Sequence, residues 1–225
     1  MRIIEVKNLK KTYGQGLTSV NALKGIALEV RVGEFLAIMG RSGSGKSTLL
    51  HLLGLLDMPT HGEIFIDGKD VLKLSERERA RFRLEEMGFI FQEYSLIGEM
   101  TILENVFLPA LCLCHRADCQ TQAVEILDMV GLGERVKHYP SEVSGGEQQR
   151  AAIARALINK PKILFADEPT ASLDAASAKV VLELFRKLNR NYKQTIVMVT
   201  HEPDDREYVD RVIWLKDGLI LEQSQ

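Results

Sequence analysis

The sequence predicts an α/β fold with a mixed core sheet, an N-terminal antiparallel β-section and a helical insertion. Three observations predict it. Short apolar runs at 35–39, 88–91, 162–166 and 195–200 have the length and content of strands buried on both faces. Each run ends in glycine-rich or polar residues, and longer helical stretches separate the runs. From about 93 to 142 the texture changes, and apolar residues recur at helical spacing. Residues 1–225 therefore read as one domain, with a core in 1–92 and 143–225 and a helical subdomain near 93–142.

Within the core, 2–7 and 26–30 read as early strands, before the strand at 35–39. Gly40-Arg41-Ser42-Gly43-Ser44-Gly45-Lys46-Ser47-Thr48 follows that strand and opens an apolar stretch, 49–56. It fits G-x-x-x-x-G-K-[ST], the phosphate-binding P-loop, in the strand–turn–helix context the motif needs. The glycines let backbone N–H groups curl inward, and the helix start adds positive potential. Lys46 then reaches the β- and γ-phosphates, and the Ser47 hydroxyl ligates Mg²⁺. Tyr13 stands ready to stack on a base, or is an ordinary strand-end aromatic; both readings stay open.

After the P-loop helix, Asp67-Gly68 marks a hairpin turn. Ser75-Glu76-Arg77-Glu78 and Thr101-Ile102-Leu103-Glu104 are capping boxes. Gln92 follows a buried strand at the sheet's carboxyl edge, where α/β proteins bind ligands. Pro109 is expected to kink the first insertion helix, which is read as running through 107–114. Residues 117–130 form an amphipathic helix closed by Gly131.

Ser144-Gly145-Gly146 precedes another helix. It is either a simple N-cap or a second anion site. The strand at 162–166 ends in Asp167-Glu168. A strand-end Asp contacts Mg²⁺ in P-loop proteins, and a second acid beside it can polarise water. Asp174 precedes the helix at 175–190. His201 ends the strand at 195–200, in the same edge position as Gln92 and Asp167. Residues 211–222 make a terminal hairpin.

Composition narrows the function. Of 225 residues, 45% are hydrophobic and 27% charged, with a formal net charge of −2, so the basic excess of a nucleic-acid protein is absent. No apolar run approaches the ~20 residues of a membrane span, and residues 1–7 read as a strand and not as a signal peptide. A cytoplasmic location is expected, with membrane contact only through a partner. Cys112, Cys114 and Cys119 surround His115, but the spacing matches no usual zinc framework. They read as small residues of an apolar helix in a reducing compartment.

Taken together, the motifs resemble the ATP-binding cassette (ABC) ATPase family over nearly the whole chain. In order they are Tyr13, the P-loop, Gln92, the signature Val143-Ser144-Gly145-Gly146-Glu147, the strand-end pair Asp167-Glu168, the segment Ser172-Leu173-Asp174 and His201. The signature departs from Leu-Ser-Gly-Gly-Gln at Val143 and Glu147. Neither change touches Ser144 or the glycines. A narrower likeness, carried by residues 54–63, 88–92, 101–106 with Pro109, and 145–150, is to the lipoprotein-release, macrolide-export and cell-division group.

The resemblance implies a head-to-tail homodimer with two ATP molecules in its interface. Each ATP lies between one P-loop and the other copy's signature. It implies adenine stacking on Tyr13, phosphate binding by residues 42–48, and Mg²⁺ and its waters held by Ser47, Gln92 and Asp167. Glu168 is then the base, His201 reads the γ-phosphate and Asp174 communicates across the dimer. The implied partners are integral-membrane permease subunits. An ATP-driven regulatory switch acting through a membrane partner fits the same motifs. A DNA-repair or translation ABC protein fits less well, because the chain has neither a coiled-coil insertion nor a tandem cassette.

Overall fold

The computed structural model describes residues 1–14, 16–113 and 115–224, with side chains at all of these except 17 and 222–224. Two sheets face each other. The first is antiparallel, ordered β2-β1-β4-β5, from β1 (Arg2–Tyr13), β2 (Val20–Arg31), β4 (His61–Ile66) and β5 (Lys69–Asp70). Both early strands run further than the sequence suggested. β1 continues to Tyr13 through bulges that let it keep pairing with β2. Of the loop expected next, a short 3-10 turn spans Gly16–Thr18, and Gln15 lies outside the described residues.

The second sheet is ordered β10-β9-β3-β8-β7-β6. β3 (Phe35–Met39), β6 (Met87–Ile90), β7 (Ile163–Asp167), β8 (Thr195–Thr200) and β9 (Arg211–Lys216) run parallel, and β10 (Leu219–Ser224) closes the edge antiparallel. Strand side chains alternate between faces, so this sheet divides the core in two. Leu36 and Ile38 pack with the antiparallel sheet and α1 (Lys46–Leu53). Phe35, Ala37 and Met39 pack with α5 (Gly145–Leu157) and α6 (Ala175–Tyr192). Burial on both faces is why these strands are uniformly apolar.

Along the chain between β5 and β6, α2 (Glu76–Glu86) starts with a capping box in which Ser75 and Glu78 bond reciprocally. α3 (Ile102–Phe107) starts the same way from Thr101 and Glu104. The expected long helix with a kink at Pro109 is not found. α3 stops at Phe107, and a 3-10 turn, Leu108–Cys112, takes over with the proline in its first positions. Proline lacks the N–H that a continuing α-helix requires and clashes with the preceding turn. α4 (Arg116–Met129) ends before Gly131, which adopts φ +75°. α3 and α4 contribute Ile102, Val106, Ala123 and Leu127 to the same core face as α5.

The cysteines do not act as one set. Cys112 is a free, exposed thiol, and Cys119 is buried and disulfide-bonded, against the expectation of reduced thiols throughout. Cys114 lies outside the described residues. Among the described residues no group of three or more His, Cys, Asp or Glu side chains is placed to hold a metal.

Candidate active site

The carboxyl ends of β3, β7 and β8 lie side by side, so whatever follows them meets at one edge. After β3 the chain turns through Gly40–Gly45 into α1. Gly45 is the N-cap at φ +103°, and a Cβ there would sit 2.6 Å from the Ala22 carbonyl. A Cβ on Gly40 would sit 2.2 Å from the Leu215 carbonyl. Only glycine allows this loop to press so closely on β2 and β9. Gly43, at φ +77°, faces open space. No side chain caps α1, so its first N–H groups are left for a ligand.

Lys46 is 5% exposed, yet it forms no close ion pair. Its Nζ donates to the carbonyls of Gly40 (2.9 Å) and Arg41 (3.2 Å) and stands 3.9 Å from Glu168 Oε1. A buried ammonium held by its own loop is placed for a multiply charged anion. The buried Ser44 hydroxyl of the same loop has no hydrogen-bond partner, which also fits a cradle built for oxygens.

From α1, Ser47 Oγ donates to Asp167 Oδ1 at 3.0 Å. A hydroxyl and a carboxylate side by side are the hard oxygen donors that Mg²⁺ takes. Glu168 follows at φ +46°, with its N–H bonded to the Val199 carbonyl of β8. A left-handed non-glycine residue costs about 1–3 kcal/mol and persists where its surroundings enforce it. Here the turn brings the Glu168 carboxylate to 3.2 Å from His201 Nδ1. Glu168 thus lies between Lys46 and His201.

Other predicted residues flank this cluster. Tyr13 is 41% exposed and donates to Asp57 Oδ2 at 2.8 Å. Burial pushes the hydroxyl's pKa up, and the bond to Asp57 adds to that. The Lys11 ammonium lies 4.7 Å from the Tyr13 ring centroid. Gln92 is exposed beyond β6, and no hydrogen bond joins its side chain to Ser47 or Asp167. The segment after it is pinned by Arg155 of α5, which donates to the Tyr94 and Ser95 carbonyls.

Ser144 caps α5, with Glu147 bonding back to it. Asp174 caps α6 by accepting from the Ser177 N–H at 3.0 Å. Ser144, Gly145, Gly146 and Asp174 make no hydrogen bond to the P-loop cluster among the described residues.

Three positions escaped the sequence. His51 Nε2 reaches Asp167 Oδ2 at 3.5 Å, and that contact raises the imidazole pKa. Its spacing from Ser47, one helical turn, was the available signal. Gln149, fully buried, donates to the Pro169 carbonyl at 2.7 Å and ties α5 to the turn after Glu168. Arg135 reaches Glu147 Oε1 at 2.9 Å across twelve residues, with no local pattern to announce it.

Comparison with known proteins converges on this geometry. A family model described as "ABC transporter" matches residues 23–171. The chain is 50% identical to an uncharacterised ABC transporter ATP-binding protein, MJ1508 of Methanocaldococcus jannaschii, over 98% of both chains. It is 48% identical over 99% of its length to the macrolide export ATP-binding/permease protein MacB of Chlorobaculum tepidum, but covers only 34% of that protein. It is 45% identical to the bacitracin export ATP-binding protein BceA of Halalkalibacterium halodurans, over 99% of this chain and 88% of BceA. Among solved structures, a dimeric post-hydrolysis state of the cassette MJ0796 with ADP and Pi superposes with a TM-score of 0.90. It is 40% identical, over 99% of this chain and 98% of that one. With the P-loop, the strand-end carboxylates and the capped signature helix all in one fold, the chain belongs to the ABC transporter family, as one of its ATP-binding cassettes.

Proposed function

We propose that the protein is the ATP-hydrolysing subunit of a membrane transport complex. It binds ATP with Mg²⁺, pairs head-to-tail with a second copy around two ATP molecules, and drives integral-membrane permease subunits from the cytoplasmic face of the membrane. The observation that carries the reading is the cluster at one sheet edge. Lys46 points into the P-loop, 3.9 Å from Glu168, and Glu168 meets His201 at 3.2 Å. Naming of relatives as export ATP-binding proteins supports the coupling to transport. Among the described residues no helix is long and apolar enough to cross a membrane.

The roles follow from placement. Tyr13 offers its ring to the adenine. Gly40 to Thr48 hold the phosphates through backbone N–H groups, and Lys46 exchanges its carbonyl partners for phosphate oxygens. Ser47 and Asp167, with Gln92, are the residues that would hold Mg²⁺, which when bound offsets phosphate charge. Glu168 takes the proton of the attacking water, and His201 holds that carboxylate and senses the terminal phosphate. Ser144 and the Gly145 and Gly146 amides, at the N-terminus of α5, contact the ATP of the other copy. Asp174 lies on the same interface.

Loss of the terminal phosphate removes one of the two contacts that close the dimer. A groove of ≈ 520 Å³, lined by Leu56, Phe89, Phe91 and Pro109, lies between the core and the helical segment. It is the seat we assign to the permease. Phe107 is core, whereas Leu111 is exposed.

The test uses Glu168→Gln held with ATP and Mg²⁺, tagged and recovered from gently solubilised membranes. A co-purifying permease is expected. Recovery of ATP-bound dimers with soluble proteins alone would remove the transport reading and favour a regulatory or soluble role.

A further inference from the structure

The signature turn carries a carboxylate where an amide would cap the helix as well. Glu147 Oε2 accepts from the Ser144 N–H and the Ser144 hydroxyl, both at 2.8 Å, and Oε1 accepts from Arg135 Nε at 2.9 Å. The Ser144 amide, then Arg135, then the Ser144 hydroxyl hold this carboxyl down to about 2, so it is charged throughout the physiological range. Arg135 is its one ion-pair partner among the described residues.

That charge sits badly in the dimer proposed above, on which this inference rests. The turn that holds Glu147 is the one that meets the other copy's ATP. A bare carboxylate beside a terminal phosphate is a like-charge contact, which disfavours the closed dimer. Arg135 is set by its own surroundings and does not depend on Glu147 for its place. It ends the 3-10 turn Gly133–Arg135, and its N–H donates to the Leu132 carbonyl. The chain just beyond is bonded to α3: the Leu103 N–H donates to the Val136 carbonyl and the Ile102 N–H to the His138 carbonyl.

We propose that Arg135 is a positioning residue of the composite ATP site, neutralising Glu147 and holding the capped Ser144 turn so that the backbone N–H groups of the signature turn donate to the phosphate of an ATP held by a second copy. Arg135 acts through Glu147 and need not touch nucleotide itself. The signature's departure from glutamine to Glu147 is thereby matched by a cation.

The experiment measures the ATP concentration for half-maximal dimerisation in the Glu168→Gln protein, which hydrolysis does not drain. Arg135→Ala is expected to raise that midpoint about tenfold, and Arg135→Lys to recover most of the loss. Added to Glu147→Gln, the same Arg135→Ala change is expected to cost no more than about twofold, since a neutral amide needs no counter-charge. ADP affinity of the single copies should follow the parent, because the P-loop is untouched. Arg135→Gln keeps a donor without the charge and gives the same comparison should alanine disturb the fold. An equal loss with Glu147 intact and in the Glu147→Gln background would show a merely structural tie and overturn the inference while leaving the dimer intact. Failure of Glu168→Gln itself to dimerise with ATP would overturn both.

Discussion

The side chains at the sheet edge differ in how much each depends on its neighbours. Lys46 is buried, but carbonyls of its own loop hold it, and Glu168 is a long 3.9 Å away. Without nucleotide it therefore contributes little that a truncation would remove, whereas in the proposed nucleotide-bound state it is the cation buried against the phosphates. Lys46→Ala is expected to leave the fold in place and weaken ADP binding on the order of a hundredfold, since losing one partner of a desolvated charge pair costs about 2–5 kcal/mol. Calorimetric titration with ADP checks it, and undiminished affinity would sink the P-loop assignment. At this scale the sequence was most legible for residues that a short motif carries. Ser47, Lys46, Asp167, Glu168 and His201 all meet where strand ends placed them. Gln92 was placed at the right edge, yet its side chain stands free of the cluster, because the rotamer of an exposed side chain is not encoded locally.

The helices show how one local device serves two ends. α2 and α5 begin with the same capping box. Ser75 Oγ donates to Glu78 at 2.7 Å, and Ser144 Oγ donates to Glu147 at 2.8 Å. Removing either serine should cost about 1 kcal/mol of stability, the usual worth of an N-cap. Only Ser144 is assigned to a nucleotide, so Ser144→Ala should abolish ATP-driven dimerisation and Ser75→Ala should not. Denaturant midpoints together with ATP-dependent dimerisation separate the two effects. Both carboxylates are held below the ordinary glutamate value, and Glu147 also takes a bond from Arg135. Because Glu147 is held at about 2 in the folded chain, against an ordinary 4.5, its stabilising contribution is complete above about pH 4.5 and is lost as pH falls toward 2. Glu147→Gln should flatten that part of the acid-unfolding curve. The box at Ser75 and Glu78 was legible because its residues lie three apart, whereas Ser144 was read as a simple N-cap or an anion site and the return bond from Glu147 went unread. The α3 stop at Phe107 was misjudged, because a proline's effect depends on whether the chain resumes as α-helix or tightens to a 3-10 turn. The bond from Arg135 to Glu147 joins two elements and left no trace in either.

Over the whole molecule, the strand order β10-β9-β3-β8-β7-β6 matters more than any one motif, because it gathers residues from position 40 to position 201 at one edge. The apolar runs announced the strands, but they could not announce their order, which depends on how two sheets and a helical layer share one core. The same architecture separates two surfaces. The P-loop cluster lies at the ends of β3, β7 and β8, and Ser144, Gly145, Gly146 and Asp174 lie apart from it, at the N-terminal ends of α5 and α6. In the proposed reading one copy therefore holds nucleotide with only part of the contacts, and a second copy supplies the rest. This separation has a thermodynamic consequence. ADP bound to a single copy raises the melting temperature by an amount set by free ligand alone. ATP bound to Glu168→Gln raises it further as protein concentration increases, since the folded state is then a dimer. Tenfold more protein is worth about 0.7 kcal/mol per copy, or about 2 °C for a chain of this size. Thermal melts at two protein concentrations with saturating ATP or ADP decide the matter. A shift with concentration in ATP alone is the expected result. Identical ATP melting temperatures at both concentrations would mean that the signature surface meets no phosphate, and the nucleotide site would belong to one copy only.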